Sequence, residues 1–188
     1  MNKRITIILS LIGIILISSV SVSYAIFRTY ATQTGTNVVS STNCLDISIS
    51  GTNEISLSNA FPIRDSVGIT QTPYTFTVTN NCNHYMKVDI GIEVTNSTIN
   101  AGFIKAAMNK SNEQITPNFL NQYTLVQKPN ENAKYIMIND EFDENESKTY
   151  EYRMWLDYSV EYGANGVTNA DEFNGKIVAI GTLKNQNE

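Results

Sequence analysis

The sequence predicts an all-β protein, an Ig-like or jelly-roll antiparallel β-sandwich behind an N-terminal signal or anchor helix. Three observations carry this expectation. Apolar and polar residues alternate with period two through most of the chain after residue 44, the mark of strands with one buried face. Turn signals separate those runs, at Asn80-Asn81, Pro129-Asn130 and Asn165-Gly166. The first 25 residues follow another pattern: basic, then apolar, then a small-residue site.

That N-terminal pattern has the three parts of an export signal. Lys3 and Arg4 precede an uncharged stretch from Ile5 to Val22, and Ser23 and Ala25 occupy the −3 and −1 positions of a signal-peptidase site. Residues 1–25 therefore read as a signal peptide cleaved between Ala25 and Ile26. The rival is an uncleaved anchor. As a helix the apolar stretch runs about 27 Å, close to a hydrocarbon core of about 30 Å. Ser10, Ser18, Ser19 and Ser21 weaken it as a permanent span. Residues 182–188 carry neither a hydrophobic tail nor an LPxTG-type sorting sequence. Attachment to a surface is thus expected through the N-terminus, self-assembly or a partner.

Residues 26–43 are polar and weakly patterned, and read as an extension or an edge strand. The sandwich is expected over 44–184, with 185–188 as a tail. In CLDISIS, Leu45, Ile47 and Ile49 share a face. In YTFTVTN, Tyr74, Phe76 and Val78 oppose Thr75, Thr77 and Thr79. In YMKVDIGIEV, Met86, Val88, Ile90, Ile92 and Val94 oppose Lys87, Asp89, Gly91 and Glu93. Residues 100–125 are ambiguous: Phe103, Ala107 and Lys110 fit a helix face, while Ile104, Ala106 and Met108 fit a strand, which the surroundings favour. KYIMIN places Ile136 and Ile138 on one face. TYEYRMWLDY sets Tyr150, Tyr152, Met154, Leu156 and Tyr158 against Glu151, Arg153, Trp155 and Asp157. GKIVAIGTL is the last run. Seven or so such strands describe a sandwich.

Charge narrows the partners. The chain carries 13 basic and 18 acidic residues, net −5. Residues 1–25 hold two of the basic residues and no carboxylate, so without them the balance is 11 to 18, net −7. Nucleic acid is not an expected partner, because its binding depends on basic side chains neutralising phosphates. A membrane is expected to engage only the N-terminal segment.

Cys44 and Cys82 are the two cysteines, each at a strand boundary. In an oxidising setting an even count suggests one bridge, the alternatives being free thiols or an intermolecular pair. A bridge closing this loop would stabilise by about 4 kcal/mol on chain entropy. Catalytic, cofactor and metal sites are not expected. His84 is the single histidine, and two Cys with one His fall short of the four ligands of a structural zinc. HExxH, GxSxG, GxxxxGK[ST] and GxGxxG motifs are absent. The acidic run DEFDENE, residues 140–146, lacks EF-hand spacing and reads as a solvated hairpin tip. Three glycosylation sequons, at Asn96, Asn109 and Asn145, are matches expected by chance in an Asn-rich chain.

Several of these stretches resemble one family. The start Ala25-Ile26-Phe27, the following Asn37-Val38-Val39, the pair Leu45-Asp46-Ile47, the stretch TPYTFTVTNNCN and the late strand ESKTYEYRMWLD are similar to the TasA/camelysin-like exported proteins of Gram-positive bacteria, whose signal is read by a SipW-type peptidase. The likeness covers most of the chain through loose motifs. Asn43-Cys44 stands where the family usually has Ala-Gly. The resemblance implies a secreted or cell-surface sandwich, some relatives of which polymerise into biofilm-matrix fibres by lending an N-terminal strand to the next subunit. Ile26, Phe27, Tyr30, Val38 and Val39 would then belong to the donor strand, and the partners would be further copies or other surface and matrix proteins. The camelysin label implies a metallopeptidase, but the chain offers no zinc motif and that activity is not carried over. The alternative expectation is a non-catalytic adhesin-like binding module with recognition loops at 110–134 and 158–175.

Overall fold

The computed structural model describes residues 28–32, 45–50, 55–163 and 166–183. They form two antiparallel sheets packed face to face, as the period-two pattern requires. Sheet A has six strands: β1 (Arg28–Thr32), β3 (Ile55–Ser58), β5 (Met86–Ser97), β8 (Thr124–Val126), β9 (Lys134–Phe142) and β11 (Glu172–Leu183). Its spatial order is β1-β11-β5-β9-β8, with β3 sharing the outer edge of β11. Sheet B has five: β2 (Leu45–Ser50), β4 (Tyr74–Asn80), β6 (Ile104–Lys110), β7 (Asn118–Phe119) and β10 (Ser147–Leu156), in the order β2-β4-β10-β6-β7.

The core lies between the sheets. Phe76, Val78, Ile104, Ala106, Tyr150, Tyr152, Met154 and Leu156 come from sheet B. Met86, Val88, Ile90, Ile92, Phe142, Phe173, Ile177 and Ala179 come from sheet A. Phe76 stacks on Tyr150 with ring centroids 5.5 Å apart, a cross-strand pair set by the β4–β10 register. The same register brings the outward hydroxyls of Thr77 and Thr149, and of Thr79 and Ser147, within 3.0 and 2.8 Å of one another.

The ambiguous stretch resolves as a one-turn 3-10 segment at Ala101–Phe103 running into β6. Asn100 starts it by accepting a hydrogen bond from the Gly102 N–H. Ile104 and Ala106 then point inwards, as the strand reading required. Three expectations need correction. Eleven strands are present among the described residues, because short edge strands such as β3, β7 and β8 are too brief to show a pattern. Ile136 and Ile138 do not share a face. A bulge, where Ile90 pairs with Ile138 but Gly91 with Ile136, sends Ile138 to the core and Ile136 to an outer cluster with Val178 and Ile180. Tyr158 does not join the core face either: β10 ends at Leu156, and Tyr158 is 61% exposed.

Trp155 behaves differently from its outward neighbours on β10. It points away from the core, yet only 1% of it is exposed. A short helix, α1 (Asp65–Gly68), covers it. Gly68 sits so close that a Cβ there would lie 2.2 Å from the indole, and Asp65 accepts the indole N–H at 3.2 Å. Strand alternation alone would have exposed this ring.

The connections fall at two ends. One, here the turn end, carries residues 81–85, 111–117 and 143–146. The other, the loop end, carries residues 59–73, 98–103, 127–133, 157–163 and 166–171.

Candidate functional site

The edge of β11 is the first candidate. Its partner there is β1, antiparallel, with Arg28 opposite Thr182, Tyr30 opposite Ile180 and Thr32 opposite Val178. Further along, β3 takes over, with Ile55 opposite Gly175 and Ser58 opposite Glu172. Two short strands from different parts of the chain thus complete one edge of a long strand. β1 runs from the turn end towards the loop end, whereas β2 starts at the turn end, where Leu45 pairs with Asn80.

Of the residues singled out from the sequence, Tyr30 lies in β1. Ala25, Ile26, Phe27, Val38, Val39 and Cys44 lie outside the described residues. Cys82 lies two residues past the end of β4 and is not a free thiol. His84 is exposed in the turn after it.

The Asn-rich turn owes its shape to Asn80. This fully buried side chain donates to the carbonyls of His84 and Asp143, each at 2.9 Å, and accepts from the Cys82 N–H at 3.0 Å. One amide thereby ties the turn after β4 to the turn between β9 and β10. A buried amide with its capacity met in this way costs little to desolvate and fixes both loops.

The acidic run divides into two parts. Asp143, Glu144 and Asn145 are exposed at the hairpin tip, where Asn145 adopts a left-handed φ of 58° and the Asp143 N–H donates to Glu146. Asp140 instead turns inwards, with its side chain 9% exposed. It accepts from the Tyr150 hydroxyl at 2.7 Å and lies 2.9 Å from Lys110 Nζ and 3.4 Å from Lys148 Nζ. Burial alone would raise its carboxyl, but the Tyr150 hydroxyl, Lys110, the Glu141 N–H and Lys148 together hold it below the ordinary carboxylate range. Tyr150 is driven the other way, upward, by burial and by the same carboxylate. This cluster joins β9 of sheet A to β6 and β10 of sheet B. Inward charge of this kind also blunts the neighbouring strand edges against pairing with other chains.

The sequons meet different fates. Asn109 is buried, Asn96 donates to Glu172 at 2.5 Å, and Asn145 forms the exposed turn. Among the described residues no three His, Cys, Asp or Glu side chains converge as metal ligands, and no helix is long and apolar enough to cross a membrane.

Sequence reading did not find the aromatic surface at the loop end. Phe61 stacks on Tyr162 at 4.8 Å, and the Arg64 guanidinium lies 4.8 Å over the Tyr158 ring. Phe61 is 62% and Tyr162 42% exposed. The two segments are pinned together by the Ile63 N–H donating to the Leu156 carbonyl at 3.0 Å. The signal lay in the spacing of Phe61 and Tyr162 outside any alternating run, where no core face claims them.

No protein-family model matches this chain, and no curated protein matches it in sequence.

Proposed function

We propose that this chain is an exported structural subunit of the cell surface or extracellular matrix, of the TasA-like kind, that assembles into fibres by exchanging its N-terminal strand. The supporting observation is the pairing of β1 with the edge of β11. A strand that pairs with a sheet edge through main-chain hydrogen bonds can meet the same edge in a neighbouring copy as in its own. The intervening residues 33–44 span at most about 40 Å when extended, enough to reach an adjacent subunit. Export follows from residues 1–25, with cleavage between Ala25 and Ile26, and the cell surface or its exterior is the proposed location. In this reading the protein is not an enzyme and needs no cofactor.

The test is electron microscopy and sizing of residues 26–188 beside a chain lacking 26–39. Filaments from the first and none from the second are expected. A monomer at high concentration from the full mature chain would refute the proposal.

A second reading, a non-catalytic surface-binding module, draws on the exposed Phe61, Tyr158 and Tyr162. A stable monomer that binds cells or polysaccharide through those rings would favour it.

A further inference from the structure

β1 carries its size pattern in reverse of the long strands. The inner positions of β4, β5 and β10 hold large residues, among them Phe76, Ile90, Ile92, Tyr150 and Tyr152. On β1 the antiparallel register sets Thr29 opposite Gly181 and Ala31 opposite Ala179. Ala179 belongs to the core and Gly181 is buried, so positions 29 and 31 have the parity of the core. Arg28, Tyr30 and Thr32 pair with Thr182, Ile180 and Val178, on the outer parity. The small residues of RTYAT thus take the inner positions, and its two largest take outer ones.

The flank of the sandwich gives the physical reason. β1 and β2 are edge strands of opposite sheets, and β2 comes within 8 Å of both β1 and β11, Cα to Cα. Sheets packed face to face stand about 10 Å apart. Along the inner rows of sheet A the residues shrink towards this flank: Ile138, Ile90, Ala179 and position 31 in one row, Val88, Gly181 and position 29 in the next. Leu45 of β2 and Ala179 belong to the same buried cluster, so the flank is filled as well as narrow. β3 holds the edge of β11 from Glu172 to Gly175, which leaves the five residues Val178–Thr182 as the seat of β1.

We infer that this seat is a size filter whose occupant is the β1 strand of another copy of this chain, and that Ala31, with Thr29, is the residue that admits it. The inference rests on the strand-exchange reading and names what selects the exchanged strand. Main-chain hydrogen bonds alone accept any extended segment; alternate side chains decide which one stays. A large residue at an inner position has to force β2 away or disturb the packing beside Ala179. A one-residue slip of β1 brings Arg28, Tyr30 and Thr32 to the inner parity, so the same filter fixes the register. The strand in this chain that meets the pattern is β1 itself, which makes a second copy the partner the seat favours.

The experiment compares the mature chain, residues 26–188, with A31I, A31S and R28I. Ile is a better strand former than Ala, so intrinsic propensity predicts that A31I strengthens β1, whereas the filter predicts weakening. R28I introduces the same residue at an outer position, opposite the exposed Thr182. Folding is checked by circular dichroism and Trp155 emission; if A31I loses the fold, A31V takes its place with the same expectation. A31I is expected to need about tenfold more protein to form filaments, and to raise amide exchange at Val178–Thr182 about tenfold in the unassembled chain. A31S and R28I are expected to stay within about twofold of the parent in both readouts. Assembly and exchange of A31I at parental values would overturn the filter and leave strand exchange standing. Equal losses in A31I and R28I would overturn the assignment of the filter to the inner positions. Absence of filaments from the parent would overturn strand exchange and, with it, the role of the filter between copies.

Discussion

Replacing Asp140 by asparagine tests whether the inward ion cluster holds the two sheets together. The carboxylate receives a hydrogen bond from buried Tyr150, faces Lys110 and Lys148, and accepts from the Glu141 N–H at 2.8 Å. The asparagine amide keeps an oxygen for Tyr150 and loses the charge. The Lys110 and Lys148 side chains are 38% and 22% exposed, so solvent screens their share and each pair contributes well under a buried ion pair. The charge-assisted bond from the buried hydroxyl weakens by about 1 kcal/mol. The expected loss for D140N is about 1–2 kcal/mol at pH 7. D140A, which also leaves the Tyr150 hydroxyl without that acceptor, should cost about 3 kcal/mol.

The pH dependence is diagnostic. The folded carboxyl titrates below its unfolded value, so its stabilisation is fully present above the unfolded pKa and is lost as pH falls through the folded one. The difference between wild type and D140N should be flat from about pH 5 to 8 and shrink below about pH 4. Urea unfolding followed by Trp155 emission and circular dichroism measures both. A D140N midpoint equal to wild type at pH 7, or a difference that persists unchanged to about pH 2.5, would refute the reasoning.

Two further outcomes follow from the geometry and a third from the cysteine count. G68A should push α1 off the indole, because its Cβ would fall 2.2 Å from the ring; a red-shifted Trp155 emission and a loss of about 1–3 kcal/mol are expected. N80A removes three hydrogen bonds that tie two turns together, and should cost about 2–4 kcal/mol in chemical denaturation while raising amide exchange in residues 81–85 and 143–146. The expectation that Cys44 pairs with Cys82 is tested by gel mobility, which should change on reduction, and by a denatured, unreduced chain that should titrate no thiol; two titrated thiols would remove it.

What the sequence determined by itself was the strand content and the inner face of most strands. Period two in YTFTVTN, in Met86–Ile92 and in Tyr150–Leu156 is enough, because a residue's face on a strand follows from its parity. Even the ambiguous β6 was legible through Ile104 and Ala106. Tertiary structure decided whatever depends on which strand lies beside which. Gly91, whose Cβ would clash at 2.0 Å with the Tyr135 carbonyl, marks the bulge that moves Ile136 to the outer face. A bulge shifts parity, and local alternation carries no record of it. The burial of Trp155 under α1, the inward turn of Asp140 within an acidic run, and the meeting of Phe61 with Tyr162 all join residues far apart in the chain. Such contacts are fixed by the order in which strands pair, and that order put β1 on β11 at the edge from which the proposed assembly starts.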